Sequence, residues 1–322
     1  MTQVQTIRGP VQSAALGTTL MHEHVFIRDD EIERNFPQRW DEQARVADAV
    51  ARLQAMKAVG VDTIVDPTVL GMGRDVVRVA AVNEQVDINI VAATGLYTYN
   101  DVPHYFHFHG PGTLLGGDDV MIDMFINDIT TGIGGTGIRA GLLKCAIDDA
   151  LTPGVSRVFD AVAAAHLQTG VPITVHTSVA HRTGLVAQQY FRDKGVDPAN
   201  IVLGHSGDSA DLDYLHELID GGSILGMDRF GLDIYLPTDQ RVATVAKLAE
   251  EGFADRMVLS HDASCHMDWL PDGVAEQVAP NWNFTHIHDD VLPALRGHGV
   301  SEQQITTMLV DTPARYFGGA RV

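Results

Sequence analysis

Six residues able to bind a divalent cation fall near the C-terminal ends of short apolar runs: His22 and His24, Lys144, His176, His205 and Asp262. Imidazole nitrogens and carboxylate oxygens are suitable donors for zinc and related ions, and a cation held by them can polarise a carbonyl and activate water at neutral pH. In an extended chain side chains alternate, so His22 and His24 share one face while Glu23 takes the other, and the pair can share one ion. A lone His-x-His pair reads equally well as two exposed or hydrogen-bonded histidines. The weight comes from five separate strand ends carrying metal-compatible groups.

Lys144 is the odd member, because an ammonium has three donors and no acceptor. Reaction of its neutral amine with carbon dioxide gives a carbamate whose two oxygens can bridge two cations. The plainer alternative is a lysine paired with Asp148 or Asp149. Asp262 follows His261, and alternation lets only one of them face inward; Asp262 is assigned to the site and His261 left out of the ligand set. The alternative for Asp262 is a capping or solvent-facing carboxylate. His166, His216 and His298 fall in predicted outer helices as solvent-facing or satisfied structural histidines. His104, His107 and His109 form a cluster in a loop without a matching acidic ligand, which favours loop packing over a second zinc site.

The elements that must position these residues are legible as βα units. Strand-like runs occur at 19–26, 62–68, 89–97, 139–146, 173–178, 201–207, 223–229 and 257–262, eight in all. Between them, 42–59, 153–169, 208–220 and 239–253 carry apolar residues at helical spacing. The prediction is a single (β/α)8 TIM barrel over residues 1–322, with a metal centre at its C-terminal face, where barrels assemble their active sites. An open doubly wound sheet is the competitor. No G-x-G-x-x-G follows an early strand, since GIGGTG at 132–137 precedes the fourth run, and no phosphate-binding G-x-x-x-x-G-K-[ST] occurs.

Composition limits the function further. Forty-two acidic against twenty-two basic residues give a formal net charge of -20, a poor match for nucleic acid or anionic lipid. The N-terminus has no basic segment leading into an apolar run, and no stretch supplies eighteen consecutive apolar residues, so a soluble cytoplasmic protein without membrane association is expected. With only Cys145 and Cys265, a disulfide framework and a four-cysteine zinc site are both excluded.

Ordered motifs along nearly the whole chain carry a resemblance: LGTTLMHEH, AATGLYTYNDVP, GLLKCA, ITVHTS, VLGHSGD, LGMDRFG, VLSHDASC and NWNFTHIHDDVLPAL. In these the chain resembles the phosphotriesterase-like lactonases of the amidohydrolase superfamily. The resemblance implies two divalent cations, zinc first with iron, cobalt or manganese as candidates. His22, His24 and Asp262 would hold the more buried ion, His176 and His205 the more exposed one, and carboxylated Lys144 would bridge them. Tyr97 would lie beside the attacked carbonyl, Arg229 near the entrance, and Asp262 would carry the proton. It further implies a homodimer and a lactone substrate, with acyl-homoserine lactones (quorum quenching) ahead of simple γ- and δ-lactones and weak action on organophosphate triesters; a true triesterase is the alternative. Met267, Trp269, Leu270 and Trp282, in the 264–284 segment, either line an apolar pocket or pack the loop onto the barrel. Amide hydrolysis and a non-enzymatic binding role rank below these readings.

Overall fold

Runs such as TIVD, LLKCA and IVLG are buried along their whole length, as strands covered on both faces must be. In the computed structural model, which describes residues 2–319, eight such strands pair in parallel. In chain order they are Thr19–Leu20, Thr63–Asp66, Asn89–Gly95, Leu142–Ala146, Ile173–His176, Ile201–Gly204, Ile224–Met227 and Met257–Leu259. The sheet closes where Met21 N–H donates to Leu259 C=O at 3.4 Å. The barrel expectation holds, and the open sheet is set aside.

Alternation along the strands separates two cores. Val65, Val91, Leu142, Val202, Ile224 and Val258 point into the lumen and pack together, while Ile64, Ile90, Leu143, Ile173, Ile201 and Leu225 face the helices. Lys144 lies two residues after Leu142, so it rises from the lumen floor on the same face.

The expected helices appear at Glu42–Ala58, Pro153–Thr169, Leu212–Asp220 and Thr238–Glu250, with further helices at Val76–Asn83, Val120–Thr130 and Thr183–Asp193. Their starts follow local chemistry: Asp41 accepts from Ala44 N–H, and Thr152 accepts from Val155 N–H ahead of Pro153. An N-terminal hairpin pairs Gln3–Thr6 with Gly9–Gln12. Among the described residues no helix is long and apolar enough to cross a membrane.

The strands end earlier than the predicted runs. The seventh stops at Met227 and the eighth at Leu259, two and three residues short of the predicted ends at Arg229 and Asp262. The run at 19–26 is in fact two pieces: pairing with the barrel stops at Leu20, and His24–Ile27 joins a separate parallel pair with Ser264–Met267. Several polar residues predicted on strands therefore occupy the turns immediately above them.

Candidate metal centre

His22 lies in the break between the two pieces and His24 opens the second, with ring centroids 5.3 Å apart. Their Nε2 atoms converge on one oxygen, Asp262 Oδ1, at 3.2 and 3.4 Å. Donor atoms of His22, His205 and Asp262 all lie within 4.8 Å of one another. Bonds of about 2.1 Å would set tetrahedral ligand atoms about 3.4 Å apart, so this spacing fits a shared cation.

The opposite ring nitrogens are tied back. His22 Nδ1 meets Asp228 Oδ2 at 2.9 Å. His24 Nδ1 meets Thr68 Oγ1 at 2.7 Å, and because that hydroxyl donates to Asp66 Oδ1 at 2.5 Å, it must accept from His24. Each histidine thus carries its proton on Nδ1 and presents a bare Nε2, the arrangement in which a carboxylate or hydroxyl fixes the tautomer of a metal-binding imidazole. Burial is the main influence holding His22 below its ordinary pKa; in His24 burial acts the same way but Asp262 and Asp66 outweigh it, and the pKa is raised.

Asp228 also accepts from His205 N–H at 2.7 Å and from His205 Nδ1 at 3.1 Å. It is almost wholly buried; burial opposes its charge, yet His205 and His22 keep its carboxyl below the usual range. Gly226 makes room for it, since a Cβ there would lie 2.6 Å from Asp228 Oδ2. Sequence reading passed over Asp228 in favour of its neighbour Arg229, and likewise missed Asp66 and Thr68. The available signal was their position at strand C-termini, in VDPT and GMDR.

His176 is the last residue of the fifth strand, and its Nδ1 lies 2.8 Å from His205 Nε2. The protons follow in sequence: His205 donates from Nδ1 to Asp228, His176 donates to His205, and Tyr99 donates to His176 Nε2 at 3.2 Å. Burial chiefly pulls His176 down to about 4 and holds His205 well below its ordinary value. Tyr99 in turn contacts the Tyr97 hydroxyl, placing both tyrosines beside His176.

Lys144 is 1% exposed, and among the described residues its amine has no hydrogen-bond or ion-pair partner. The alternative pairing with Asp148 is absent, for that carboxylate faces His176 Nε2 at 3.8 Å. Burial lowers the Lys144 pKa to about 8, with Asp262 and Asp228 opposing, so the neutral amine is far more populated near neutral pH than in a free lysine, though still the minor form. The adjoining strand approaches it closely: Gly95, at φ +142°, would place a Cβ 1.8 Å from the Lys144 carbonyl. The donor set therefore fits divalent metal, and an unpartnered amine with a lowered pKa fits conversion to an anionic ligand.

Asp262 adopts a left-handed backbone, φ 57°, as does His205 at φ 65°. Its Oδ2 accepts from Arg229 Nε at 3.0 Å; Arg229 Nη1 reaches Asp208 at 3.0 Å, and buried Arg241 reaches the other Asp208 oxygen at 2.7 Å. Arg229 is thus a clamp on Asp262. His261 lies outside the cluster: its Nδ1 meets Glu23 at 2.7 Å and its Nε2 accepts from Ile287 N–H.

The loop residues divide. Trp269 is 47% exposed with its ring 6.1 Å from that of Tyr97, at the barrel mouth. Leu270 joins it, Trp40 and His266 around a separate cavity of about 420 Å³ that includes none of the six candidate ligands. Met267 packs onto the lumen core, and Trp282 donates from its indole to His261 C=O at 2.8 Å. These last two brace the loop. Three histidines outside the cluster have partners of their own: His166 Nδ1 is 2.8 Å from Val171 C=O, His216 pairs with Glu251, and His107 finds Asp101 at 3.3 Å.

Comparison with known proteins agrees with this architecture. A "Phosphotriesterase homology protein" of Mycobacterium tuberculosis (strain ATCC 25618 / H37Rv) is 56% identical over 319 residues, covering 98% of each chain. The solved structure titled "Structure of the phosphotriesterase from Mycobacterium tuberculosis" superposes with a TM-score of 0.97, at 56% identity and 98% coverage of both chains. An "Aryldialkylphosphatase" of Saccharolobus solfataricus (strain ATCC 35092 / DSM 1617 / JCM 11322 / P2) is 38% identical over 313 residues, 95% of this chain and 96% of that one. Residues 2–317 match the Phosphotriesterase family, and the chain, with its parallel barrel and buried His/Asp cluster, belongs to that family.

Proposed function

We propose that this chain is a binuclear metal-dependent ester hydrolase whose range includes neutral phosphotriesters and lactones. The observation that carries the reading is the convergence of His22 Nε2 and His24 Nε2 on Asp262 Oδ1, with the opposite nitrogens tied to Asp228 and Thr68. His22, His24 and Asp262 would hold one cation and His176 and His205 a second, with Lys144, once carboxylated, supplying a further anionic ligand. A divalent pair supplies a polarised ester centre and a water ionised at neutral pH. The chain's own groups then do the rest. Arg229 holds Asp262 Oδ2, which leaves Oδ1 turned to the ligand cluster and in place to take a proton. The Tyr97 and Tyr99 hydroxyls, beside His176, orient the substrate's polar oxygen, and Trp269 covers Tyr97 on the solvent side.

Ligand chemistry cannot separate a planar carbonyl from a tetrahedral phosphorus centre; the pocket's complementarity to each transition state does that. The names of the M. tuberculosis and S. solfataricus relatives support the triester, which reverses the order expected from sequence. The lactone remains as a second reading because the Tyr97–Tyr99–Trp269 wall offers hydroxyls and flat aromatic faces to a small ring. The deciding experiment compares kcat/KM of the zinc-loaded protein for a diethyl aryl phosphate, acyl-homoserine lactones, simple γ- and δ-lactones, an aryl ester and an amide. Turnover of the phosphate and at least one lactone is expected, both abolished by chelation. Turnover that survives verified metal removal would overturn the reading.

A further inference from the structure

The residue between the first two histidines is as deeply buried as its neighbours but faces away from them. Glu23 is 0% exposed, and among the described residues it has no lysine or arginine partner. Its carboxylate is instead enclosed by donors from one short segment. Oε1 accepts from Ser260 Oγ at 2.8 Å, His261 N–H at 2.9 Å and His261 Nδ1 at 2.7 Å, while Oε2 accepts from Ala263 N–H at 3.1 Å. His261 is held for this role from its far side. Ile287 N–H, at the start of the π-helical turn Ile287–Val291, donates to its Nε2 at 3.0 Å, which fixes the ring proton on Nδ1, toward Glu23.

The geometry has a consequence for Asp262. The amides of residues 261 and 263 converge on one carboxylate, and the residue between them takes the left-handed conformation, φ 57°. Successive amides folded around an anion form the concave arrangement that binds it. With residues 261 and 263 so engaged, the intervening side chain projects to the opposite side, into the His22/His24 cluster. Two backbone bonds lock the same joint: Asp262 N–H donates to His22 C=O at 3.0 Å, and His24 N–H to Ala263 C=O at 2.8 Å. Ser260 Oγ also accepts from His22 N–H at 2.8 Å, so one hydroxyl ties both segments to Glu23.

We infer that Glu23 is a positioning residue for the metal centre, an internal anion that folds residues 260–263 around itself and thereby aims Asp262 at His22 and His24. This rests on the proposed metal-binding role of that cluster. Neither Glu23 nor His261 touches the space between the ligands, so both act through Asp262.

The test compares wild type with Glu23→Gln, Glu23→Ala and Ser260→Ala. Metal-free protein is titrated with Zn2+ against a chromogenic chelator and with Co2+ by visible absorption; Tm of the metal-free form and the kcat and KM of the loaded form complete the set. Glu23→Gln keeps an acceptor for Ser260 and His261 but opposes an amide N–H to that of Ala263. It should weaken Zn2+ binding about tenfold, Glu23→Ala more, and Ser260→Ala less. The Co2+ spectrum should change, and kcat should fall with KM little altered. A lowered Tm with wild-type metal affinity, cobalt spectrum and kcat would make Glu23 a plain structural anchor and overturn the inference. Should both Glu23 variants fail to fold, Ser260→Ala decides by the same criteria. Wild-type protein that binds neither ion would remove the metal reading itself, an outcome distinct from equal binding by wild type and variants.

Discussion

The two halves of the ligand cluster are built differently. On the side of the first and eighth strands, His22, His24 and Asp262 are fixed from behind by Asp228, Thr68 with Asp66, and Arg229. On the side of the fourth to sixth strands, Lys144 has no partner among the described residues, and His176 and His205 hydrogen-bond to each other. The histidines of both halves are held by protein groups, His205 by Asp228 as well, whereas the second half alone contains a buried amine with no partner among the described residues. Burial of an unpaired charge costs several kcal/mol, on the order of the penalty for any unpaired ion, and this is what drives Lys144 toward its neutral form. A half whose side chains all have partners and a half containing an unpartnered lysine should respond differently to substitution.

The largest effect is expected at the junction of the halves. Asp262→Asn removes the anion facing His22 and His24 and should lower kcat/KM by about a thousandfold, the upper range for loss of one charge-stabilising group. Zinc content by mass spectrometry should fall with it; unchanged activity in the Asp262→Asn variant would end the idea that both halves meet at this carboxylate. Lys144→Ala comes next and probes the second half alone. It should lower activity by about a hundredfold and reduce bound metal from two ions to one, while native intact-mass measurement of wild type should show one added carbon dioxide on the lysine. Two tightly held ions in Lys144→Ala would contradict a lysine bridge.

Smaller effects should distinguish the braces of the first half. Asp228→Asn disturbs the tautomers of both His22 and His205, and zinc affinity measured by chelator competition should drop by about 10- to 100-fold. Thr68→Val should have the least effect, a few-fold loss at about the lower end of that range, because Asp66 Oδ1 already lies 3.5 Å from His24 Nδ1 and can take its proton directly. If Thr68→Val were as damaging as Asp228→Asn, the view of Thr68 as a replaceable link between His24 and Asp66 would be wrong.

The cluster was more legible in sequence than its supports. Four histidines and an aspartate recur at the ends of predicted strands, so His22, His24, His176, His205 and Asp262 stood out together. Asp228, Asp66, Thr68 and Glu23 are ordinary polar residues individually, and their importance comes from partners up to 240 positions away, as for Glu23 and Ala263. Pocket residues were the least legible. Trp269 and Trp282 are equally apolar in sequence, yet one stands at the mouth and the other donates its indole N–H to His261 C=O.

What the sequence determined by itself was the alternation of apolar strands and amphipathic helices, the barrel that follows from it, and the polar residues at the strand C-termini, because period and residue type are local properties. Tertiary structure alone decided where each strand stops, which histidine nitrogen is bare, and which way Asp262 faces. Those depend on hydrogen bonds between segments far apart in the chain: Glu23 draws residues 260–263 around it, and Asp228 engages His22 and His205 at once. A left-handed aspartate at the end of an apolar run has no local signature, since the carboxylate that imposes it belongs to the first strand's loop at the other end of the chain.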